Sequence, residues 1–326
     1  MTNASPLAGK RIFMTGASGL VGSAVARGLA QQGAQLTLGL RKSSSLKWLQ
    51  GVDFDRQPFR LDDASNYGQL VQGADIVLHC AAITRAAKDQ DYLVMNTDAS
   101  VELARLAAAA GVRRFVFVSS LAARGPDGGS GPDSPYGVSK LQAEDGIVAQ
   151  GGDMEKILLR LGGVYGPRDS DLLSLFAIAK RTGFALLPPA HQILQPVYSD
   201  DAGAAIVAAC AAAAPGLSGI PLDICEPGQY RWQQVAELFR AQMDGKLRVL
   251  HLPPAVFVTV ARISDWFGRM RGVAPELDLR RGRDIAVNTW TCDASIAEQR
   301  IGWRAQTLLA EGLKQTLKWY QDQGWI

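Results

Sequence analysis

The feature that most constrains this chain is a set of three glycines between an apolar strand-like segment and a helix-like one. Residues 11–15 are β-prone, and the glycines of the following turn stand at every third position. Such glycines allow a tight turn, a close approach of the backbone to a pyrophosphate, and close packing of helix on sheet. The helix N–H groups and dipole then face the phosphates. We therefore expect a dinucleotide to contact Gly16, Ser18, Gly19, Leu20, Val21 and Gly22.

The residues after the second strand-like segment, 35–40, indicate which dinucleotide binds. In an NAD site, an acidic residue about 20 positions beyond the glycines hydrogen-bonds the ribose 2′-hydroxyl. This chain has no Asp or Glu there, and Arg41 and Lys42 follow the strand instead. Cationic groups suit a 2′-phosphate. We expect NADP, bound at Arg41, with NAD as the alternative if the basic residues only form a solvated loop.

Strand-like and helix-like segments alternate through the first half of the chain. Further strands are predicted at 54–61, 75–82, 115–120 and 156–161. This alternation is typical of an α/β fold with a Rossmann-type, doubly wound parallel sheet.

The alternation weakens after Gly166, and this change predicts the domain organisation. We expect residues 1–165 to form an NAD(P)-binding Rossmann domain, to which 196–225 return. Residues 166–326 are expected to form a smaller, mostly helical lobe that binds the substrate.

Charge and hydropathy exclude several classes of partner. The 326 residues carry a net charge of +3 and no long Lys/Arg run, so we expect no nucleic-acid partner. No stretch of 18 apolar residues occurs, so we expect no integral membrane span. The most lipophilic segment, 254–267, is expected to pack on the core or beside an apolar substrate. Attachment to a membrane surface is its alternative reading.

The four cysteines are far apart in the sequence, and there are only three histidines. No CxxC spacing links Cys80, Cys210, Cys225 and Cys292. We therefore expect no disulfide and no metal site, which fits a cytoplasmic location. Residues 1–9 lack the pattern of a signal peptide.

Three residues have the spacing expected of a hydride-transfer site. Ser120 ends a predicted strand, where ligands of a parallel sheet bind. Tyr136 and Lys140 stand four apart and share one face of a predicted helix. A nearby ammonium lowers the pKa of a tyrosine from about 10 towards neutrality, and a serine hydroxyl can hold the substrate oxygen.

With these motifs in place, the chain resembles the extended short-chain dehydrogenase/reductases. That group includes NAD(P)-dependent epimerase/dehydratases and 3β-hydroxysteroid dehydrogenase-like enzymes. The resemblance extends over nearly the whole chain. Its motifs are TGASGLVG at 15–22, HCAA at 79–82, Asn96-Thr97, VSS at 118–120, YGVSK at 136–140, GGVYGPRD at 162–169 and VYSDDA at 197–202.

The resemblance implies a role for each matching residue. Tyr136 is expected to be the general acid/base, Lys140 to bind the nicotinamide ribose, and Ser120, rather than Ser119, to polarise the substrate oxygen. Asn96 is expected to support the active site. The remaining positions expected to line the cofactor are Cys80, Ala81, Ala82, Val118, Gly163 and Val164.

One departure from the family pattern concerns the adenine. Arg60 stands where relatives carry an Asp that contacts the adenine amine. We expect Leu61 or Asp62 to provide that contact instead.

The resemblance leaves three functions open. The first is an NADP-dependent oxidoreductase that interconverts a ketone and a secondary alcohol on an apolar small molecule. The second is an NAD-dependent nucleotide-sugar epimerase or dehydratase, and the third a non-catalytic NAD(P)-binding protein. Sugar-nucleotide relatives tend to have an arginine where this chain has Gln195-Pro196, which favours the first.

Two further expectations concern contacts outside the catalytic set. Arg168 is a candidate substrate contact, or alternatively a brace for a loop. Helices 97–110 and 139–149 are candidates for pairing with their copies in a homodimer.

Overall fold

The computed structural model describes residues 5–126, 131–213, 216–243, 247–271 and 289–326, and these hold thirteen strands and eleven α-helices. The strands are β1 (Arg11–Thr15), β2 (Gln35–Leu40), β3 (Asp55–Pro58), β4 (Ile76–His79), β5 (Arg114–Ser120), β6 (Glu155–Leu161), β7 (Gly163–Tyr165), β8 (Phe184–Leu187), β9 (Ile193–Leu194), β10 (Pro196–Tyr198), β11 (Pro221–Ile224), β12 (Tyr230–Arg231) and β13 (Arg248–His251).

The helices cover both faces of the main sheet and much of the C-terminal part. They are α1 (Leu20–Gln31), α2 (Tyr67–Leu70), α3 (Asp89–Tyr92), α4 (Ala99–Ala109), α5 (Pro135–Val148), α6 (Ser170–Thr182), α7 (Ser199–Ala211), α8 (Trp232–Gln242), α9 (Pro254–Met270), α10 (Ser295–Ile301) and α11 (Leu309–Asp322). Among the described residues, no helix combines the length and apolarity needed to cross a bilayer.

Seven parallel strands form the main sheet, in the order β11-β6-β5-β4-β1-β2-β3. This arrangement confirms the doubly wound Rossmann-type fold. The chain runs from β1 outward to β3 and then returns to β4 on the other side of β1. The change of direction opens a crevice between β1 and β4 at their carboxyl ends, where such sheets bind ligands.

Two apolar cores lie on the two faces of this sheet. On one face, α1 and α7 approach closely, and a Cβ built on Gly203 would stand 2.9 Å from the Cβ of Ala24. On the other face, α4 and α5 pack over aromatic residues that include Phe115 and Phe117. The expected homodimer contact through the helices at 97–110 and 139–149 stays a prediction.

Two of the segments predicted as strands are longer than the strands observed, whereas those at 35–40, 115–120 and 156–161 agree with the observed strands to within one residue. The predicted strand at 75–82 ends at His79, because the backbone of the small residues after it turns across the β1–β4 crevice. The predicted strand at 54–61 is limited to Asp55–Pro58 at the sheet edge. The helix predicted at 97–110 begins as an α-helix at Ala99, after a π-helical turn, Leu93–Asp98, that contains Asn96.

The C-terminal part builds a third core of its own from helices and short strand pairs. Phe176 of α6 stacks on Phe239 of α8 at 4.7 Å between ring centroids and meets Tyr320 of α11 edge-on. Strand β11 from this part of the chain pairs with β6 and forms the edge of the main sheet.

A disulfide joins Cys225, directly after β11, to Cys292, so the expectation of no disulfide was wrong. The two cysteines are 67 residues apart in sequence, and only the return of the chain to the sheet edge brings them together. The same segment is held by Arg124, which donates to the Thr291 carbonyl and pairs with Asp223 at 3.0 Å. Because disulfides are rare in the cytoplasm, the cysteines no longer support a cytoplasmic location, which stays a prediction.

A buried carboxyl group lies just beyond this disulfide. Glu226 is fully buried, and neither of its carboxylate oxygens makes a well-formed hydrogen bond within the described residues. Burial raises the pKa of Glu226 to about 7, against the opposing effect of the nearby Tyr230 hydroxyl. A sequence signal existed, since this acidic residue stands two positions after the end of β11, at the carboxyl edge of the sheet.

The disulfide predicts a measurable loss of stability when it is removed. Replacing both cysteines, Cys225→Ala with Cys292→Ala, should lower the free energy of unfolding by about 2–4 kcal/mol, because the unfolded chain gains conformational freedom. Urea unfolding with and without a reductant measures this. The reductant should destabilise the wild type and Cys210→Ala, but not the double variant. Equal sensitivity of all three proteins would contradict the disulfide.

Glu226 predicts a loss of stability as the pH rises. Its pKa is raised in the folded chain, so the native state holds the proton more tightly and stability falls from about pH 4.5 through pH 7. Glu226→Gln should raise the free energy of unfolding by about 2–3 kcal/mol at pH 8 and by less at pH 5. Urea unfolding at both pH values tests this, with the exposed Glu237→Gln as control. An equal effect of both substitutions at pH 8 would refute it.

Candidate active site

The phosphate-binding turn packs directly against the end of β4. Gly16 has a φ of 76°, and a Cβ there would lie 2.6 Å from the backbone nitrogen of Ala81. A Cβ on Gly22 would lie 2.1 Å from the carbonyl oxygen of Gly16. Both positions therefore require glycine. Gly19 precedes α1 without a side-chain cap, so the first-turn N–H groups remain available to a pyrophosphate. The turn fits the expected dinucleotide.

A cluster of three cations lies at the end of β2, where the 2′-phosphate of NADP is expected. Arg41 and Lys42 are exposed. The Arg56 guanidinium, from β3, donates to the Arg41 carbonyl at 3.0 Å and to that of Lys42 at 3.4 Å. Sequence reasoning missed Arg56. The only sign of it in the sequence was a basic residue on β3, and the register between β2 and β3 is what brings Arg56 to the end of β2.

The expected adenine contact at Asp62 has a competing partner. The Asp62 carboxylate accepts two hydrogen bonds from the Arg60 guanidinium, at 2.9 and 2.5 Å. The Arg60 carbonyl in turn accepts a bond from Tyr67 at 2.6 Å, which fixes the loop. Leu61 is partly buried against the core beneath α4.

His79 is a buried structural residue at the end of β4. Its Nδ1 lies 2.7 Å from the Thr15 hydroxyl and its Nε2 lies 2.9 Å from the Ser100 hydroxyl. The Ser100 hydroxyl donates to the Asn96 carbonyl, so Nε2 carries the proton and Nδ1 accepts. Burial lowers the pKa of His79 to about 3, which keeps the ring neutral. These bonds lock the ends of β1 and β4 together.

The first turn of α5 brings Tyr136 to Ser120. The Ser134 side chain caps this helix by accepting from Gly137 N at 3.1 Å, and Pro135 occupies its first position. A Cβ on Gly137 would lie 2.3 Å from the Ala122 carbonyl, so the helix packs tightly on the turn that follows β5. The Ser120 hydroxyl lies near enough to the Tyr136 hydroxyl to lower its pKa, and it also accepts from Ala122 N at 3.2 Å.

Lys140, one helical turn along, points into the sheet. Its ammonium donates to the Val118 carbonyl at 2.8 Å and lies 4.0 Å from the centre of the Phe117 ring. Burial lowers the pKa of Lys140 to about 8.

The pKa of Tyr136 differs from the sequence expectation. Burial raises the pKa of Tyr136 to about 12, and the nearby Ser120 hydroxyl only partly offsets this effect. The expected lowering by Lys140 is not observed, because the ammonium is directed to Val118. Both Tyr136 and Lys140 consequently keep their protons at neutral pH.

Neighbouring polar residues fix the helix that carries the tyrosine. The Asn96 side chain bonds both backbone groups of Ile83, at 2.9 and 3.0 Å, and donates to Ser139 at 3.1 Å. The Tyr92 ring meets the Tyr136 ring edge-on at 6.2 Å. Sequence reasoning missed Tyr92, which lies outside every family motif it used.

Ser119, the neighbour of Ser120, is committed to a buried ionic network. Its hydroxyl donates to Glu144, whose carboxylate pairs with Arg160 at 2.5 Å. In this ion pair the Glu144 side chain is almost fully buried, and the Arg160 side chain is partly buried. Ser120, at the end of β5, is therefore the serine that the structure brings to Tyr136.

The remaining expected residues lie along the same carboxyl edge. Cys80, Ala81 and Ala82 follow β4, and Gly163 and Val164 lie on β7, which pairs with β10. Among the described residues, no cluster of His, Cys, Asp or Glu could hold a metal ion.

Arg168 is directed to the phosphate turn rather than to Ser120 and Tyr136. Its guanidinium donates to the Leu20 carbonyl at 2.9 Å and to the Ser23 hydroxyl, and it lies 5.3 Å from the centre of the Trp48 ring. Its backbone is left-handed, with a φ of 77°, which is unusual for a non-glycine residue. In this structure Arg168 braces α1, and its expected contact with the substrate stays a prediction.

Comparisons with known proteins agree with this geometry. The family model of the NAD dependent epimerase/dehydratase family matches residues 12–225. A protein of Caulobacter vibrioides named ceramide reductase is 28% identical over 97% of this chain and 96% of its own length. A Stenotrophomonas maltophilia protein named 2-alkyl-3-oxoalkanoate reductase is 28% identical over 63% of this chain and 67% of its own.

A solved structure extends the likeness of fold to the whole chain. The Bordetella bronchiseptica enzyme WbmG in complex with NAD and UDP superposes with a TM-score of 0.74 at 19% identity, over 97% of this chain and 96% of that one. The chain belongs to the NAD dependent epimerase/dehydratase family and is an NAD(P)-dependent oxidoreductase of the extended short-chain dehydrogenase/reductase type.

Proposed function

We propose that this protein is an NADP(H)-dependent oxidoreductase that interconverts a ketone and a secondary alcohol on an apolar small molecule. The observation that carries this proposal is the close approach of Ser120 and Tyr136 at the carboxyl edge of the sheet, one helical turn from the buried ammonium of Lys140. A protein that only binds a dinucleotide has no need for this set.

The three residues divide the proton chemistry between them. In the direction of reduction, Tyr136 gives its proton to the substrate oxygen, while the Ser120 hydroxyl donates a hydrogen bond to the same oxygen. Lys140 holds the nicotinamide ribose; in the structure its ammonium is directed to the Val118 carbonyl and does not lower the pKa of Tyr136. The glycine turn and the end of β4 would hold the cofactor, which would supply the hydride.

Gln195 supports an apolar substrate over a nucleotide sugar. At the position where sugar-nucleotide relatives tend to place an arginine, its amide nitrogen donates to the Glu226 carbonyl at 2.9 Å. Its amide oxygen accepts from the Cys292 backbone, also at 2.9 Å. The side chain is buried and fully engaged, so it offers no cation to a diphosphate. The relatives named ceramide reductase and 2-alkyl-3-oxoalkanoate reductase are consistent with an apolar substrate.

The cluster of Arg41, Lys42 and Arg56 supports NADP over NAD. Three cations surround the end of β2, and the loop from 41 to 47 contains no acidic residue. An NAD site needs a hydrogen-bond acceptor for the ribose 2′-hydroxyl at this place.

The alternative is an epimerase or dehydratase that keeps NAD bound between turnovers. The name of the matching family and the NAD and UDP in the WbmG structure favour it. The cofactor that copurifies separates the two: bound NAD that does not exchange supports the alternative, whereas free exchange with preference for NADPH supports the reductase.

Removal of the Tyr136 hydroxyl tests the proton donor. Tyr136→Phe should lower turnover about 100-fold to 10,000-fold, while NADPH binding measured by fluorescence stays near the wild-type value. The control is Tyr92→Phe, which removes a neighbouring hydroxyl bonded to backbone and should keep turnover within about tenfold. Full activity of Tyr136→Phe would reject the assignment.

Reversal of the charge at Arg41 tests the cofactor preference. Arg41→Asp should weaken NADPH binding about 10-fold to 100-fold relative to NADH, because a charge-assisted bond to the 2′-phosphate is replaced by repulsion. Dissociation constants of both cofactors measure this. The exposed Arg105→Asp on α4 makes the same change in net charge and should leave the ratio unaltered. A ratio unchanged by Arg41→Asp would remove the argument for NADP.

A further inference from the structure

Helix α9 exposes a continuous apolar stripe, which the proposed chemistry does not use. The side chains in this stripe are between 43% and 66% exposed, high values for large apolar residues. They are Val256, Val260, Ile263, Trp266, Phe267 and Met270. Five of the six follow the spacing i, i+4, i+7, i+11, i+14, so they lie along one side of the helix.

The opposite side of the helix is anchored on the protein. Phe257 and Ala261, one turn apart, are buried. Because these residues already pack α9 on the protein, the exposed stripe is not the side of the helix that faces the core. The stripe rises along about 20 Å of helix, too short to cross a bilayer but long enough to lie along its surface.

Positive charge accompanies the stripe. Arg262 and Arg271 are exposed at its sides, and by sequence the segment 254–271 holds three arginines and one aspartate. A bilayer rich in anionic lipid has negatively charged headgroups above an apolar interior. An exposed apolar helix face with positive charge beside it is complementary to such a surface.

A second apolar surface precedes α9 in the chain. The paired strands β8 and β13 expose Phe184, Leu186 and Leu250 on one face. The Arg248 guanidinium lies 5.9 Å from the centre of the Phe184 ring. Only two residues separate β13 from α9, and both surfaces combine apolar side chains with arginine.

We infer that α9 docks this protein onto anionic membranes, with the apolar stripe entering the interfacial region of the bilayer and the arginines pairing with lipid phosphates. The contact is peripheral and reversible. It does not depend on the proposed reaction, although it would bring the active site to apolar substrates dissolved in lipid.

Cosedimentation with vesicles tests the docking directly. The full-length protein should sediment with vesicles that contain phosphatidylglycerol and much less with vesicles of phosphatidylcholine alone. The double variant Ile263→Glu/Phe267→Glu should lose this binding at least tenfold, because two charges enter the apolar stripe. Arg262→Gln/Arg271→Gln should weaken it about fivefold for each arginine removed.

A matched control separates the stripe from general surface hydrophobicity. Val148→Glu/Ile296→Glu places the same charges at two other positions, each 42% exposed, and should bind vesicles as the wild type does. NADPH binding by every variant verifies that it is folded. No sedimentation of the wild type, or equal loss in the control, would overturn the docking. A stripe-dependent dimer in light scattering without lipid would also overturn it, in favour of a second copy of the chain as occupant.

Discussion

The contact between the β1–α1 turn and the end of β4 is the constraint on which the site depends. Gly16 reaches the backbone of Ala81 and Gly22 reaches Gly16, so any side chain at either glycine would separate helix α1 from the sheet. The hydrogen bond between Thr15 and His79 also joins the ends of β1 and β4. This contact places the N-terminus of α1 at the crevice between β1 and β4. The small residues after His79 line the crevice.

The parts of the molecule that could be predicted from sequence are those encoded locally. The glycine spacing, the alternation of strands with helices, and the positions of Tyr136 and Lys140 on one helix each follow from residues close in the chain. The first and last residues of the strands and helices were less predictable, because contacts with residues far away in sequence decide where a strand or helix ends. The fourth strand ends at His79 although apolar residues continue, since the backbone there turns over the crevice.

The parts that could not be predicted depend on residues far apart in sequence. Cys225 and Cys292 meet only because the C-terminal segment returns to the edge strand β11. Arg56 joins the cationic cluster through the β2–β3 register, and Arg168 reaches α1 from a loop about 145 residues away. A family motif gives the type of each residue but not the direction of its side chain, as the contact of Lys140 with Val118 illustrates.

The protonation states of Tyr136 and Lys140 determine how proton transfer in the proposed reaction can begin. Burial raises the pKa of Tyr136 to about 12 and lowers that of Lys140 to about 8, so at neutral pH each group carries a proton. A site in this state can give a proton to a substrate oxygen at once, as reduction of a ketone requires. Reduction forms the tyrosinate and oxidation starts from it, so the burial that raises the pKa of Tyr136 opposes the tyrosinate in both directions. The resting state is therefore the one from which proton donation in a reduction begins, whereas the reactants set the equilibrium of the reaction.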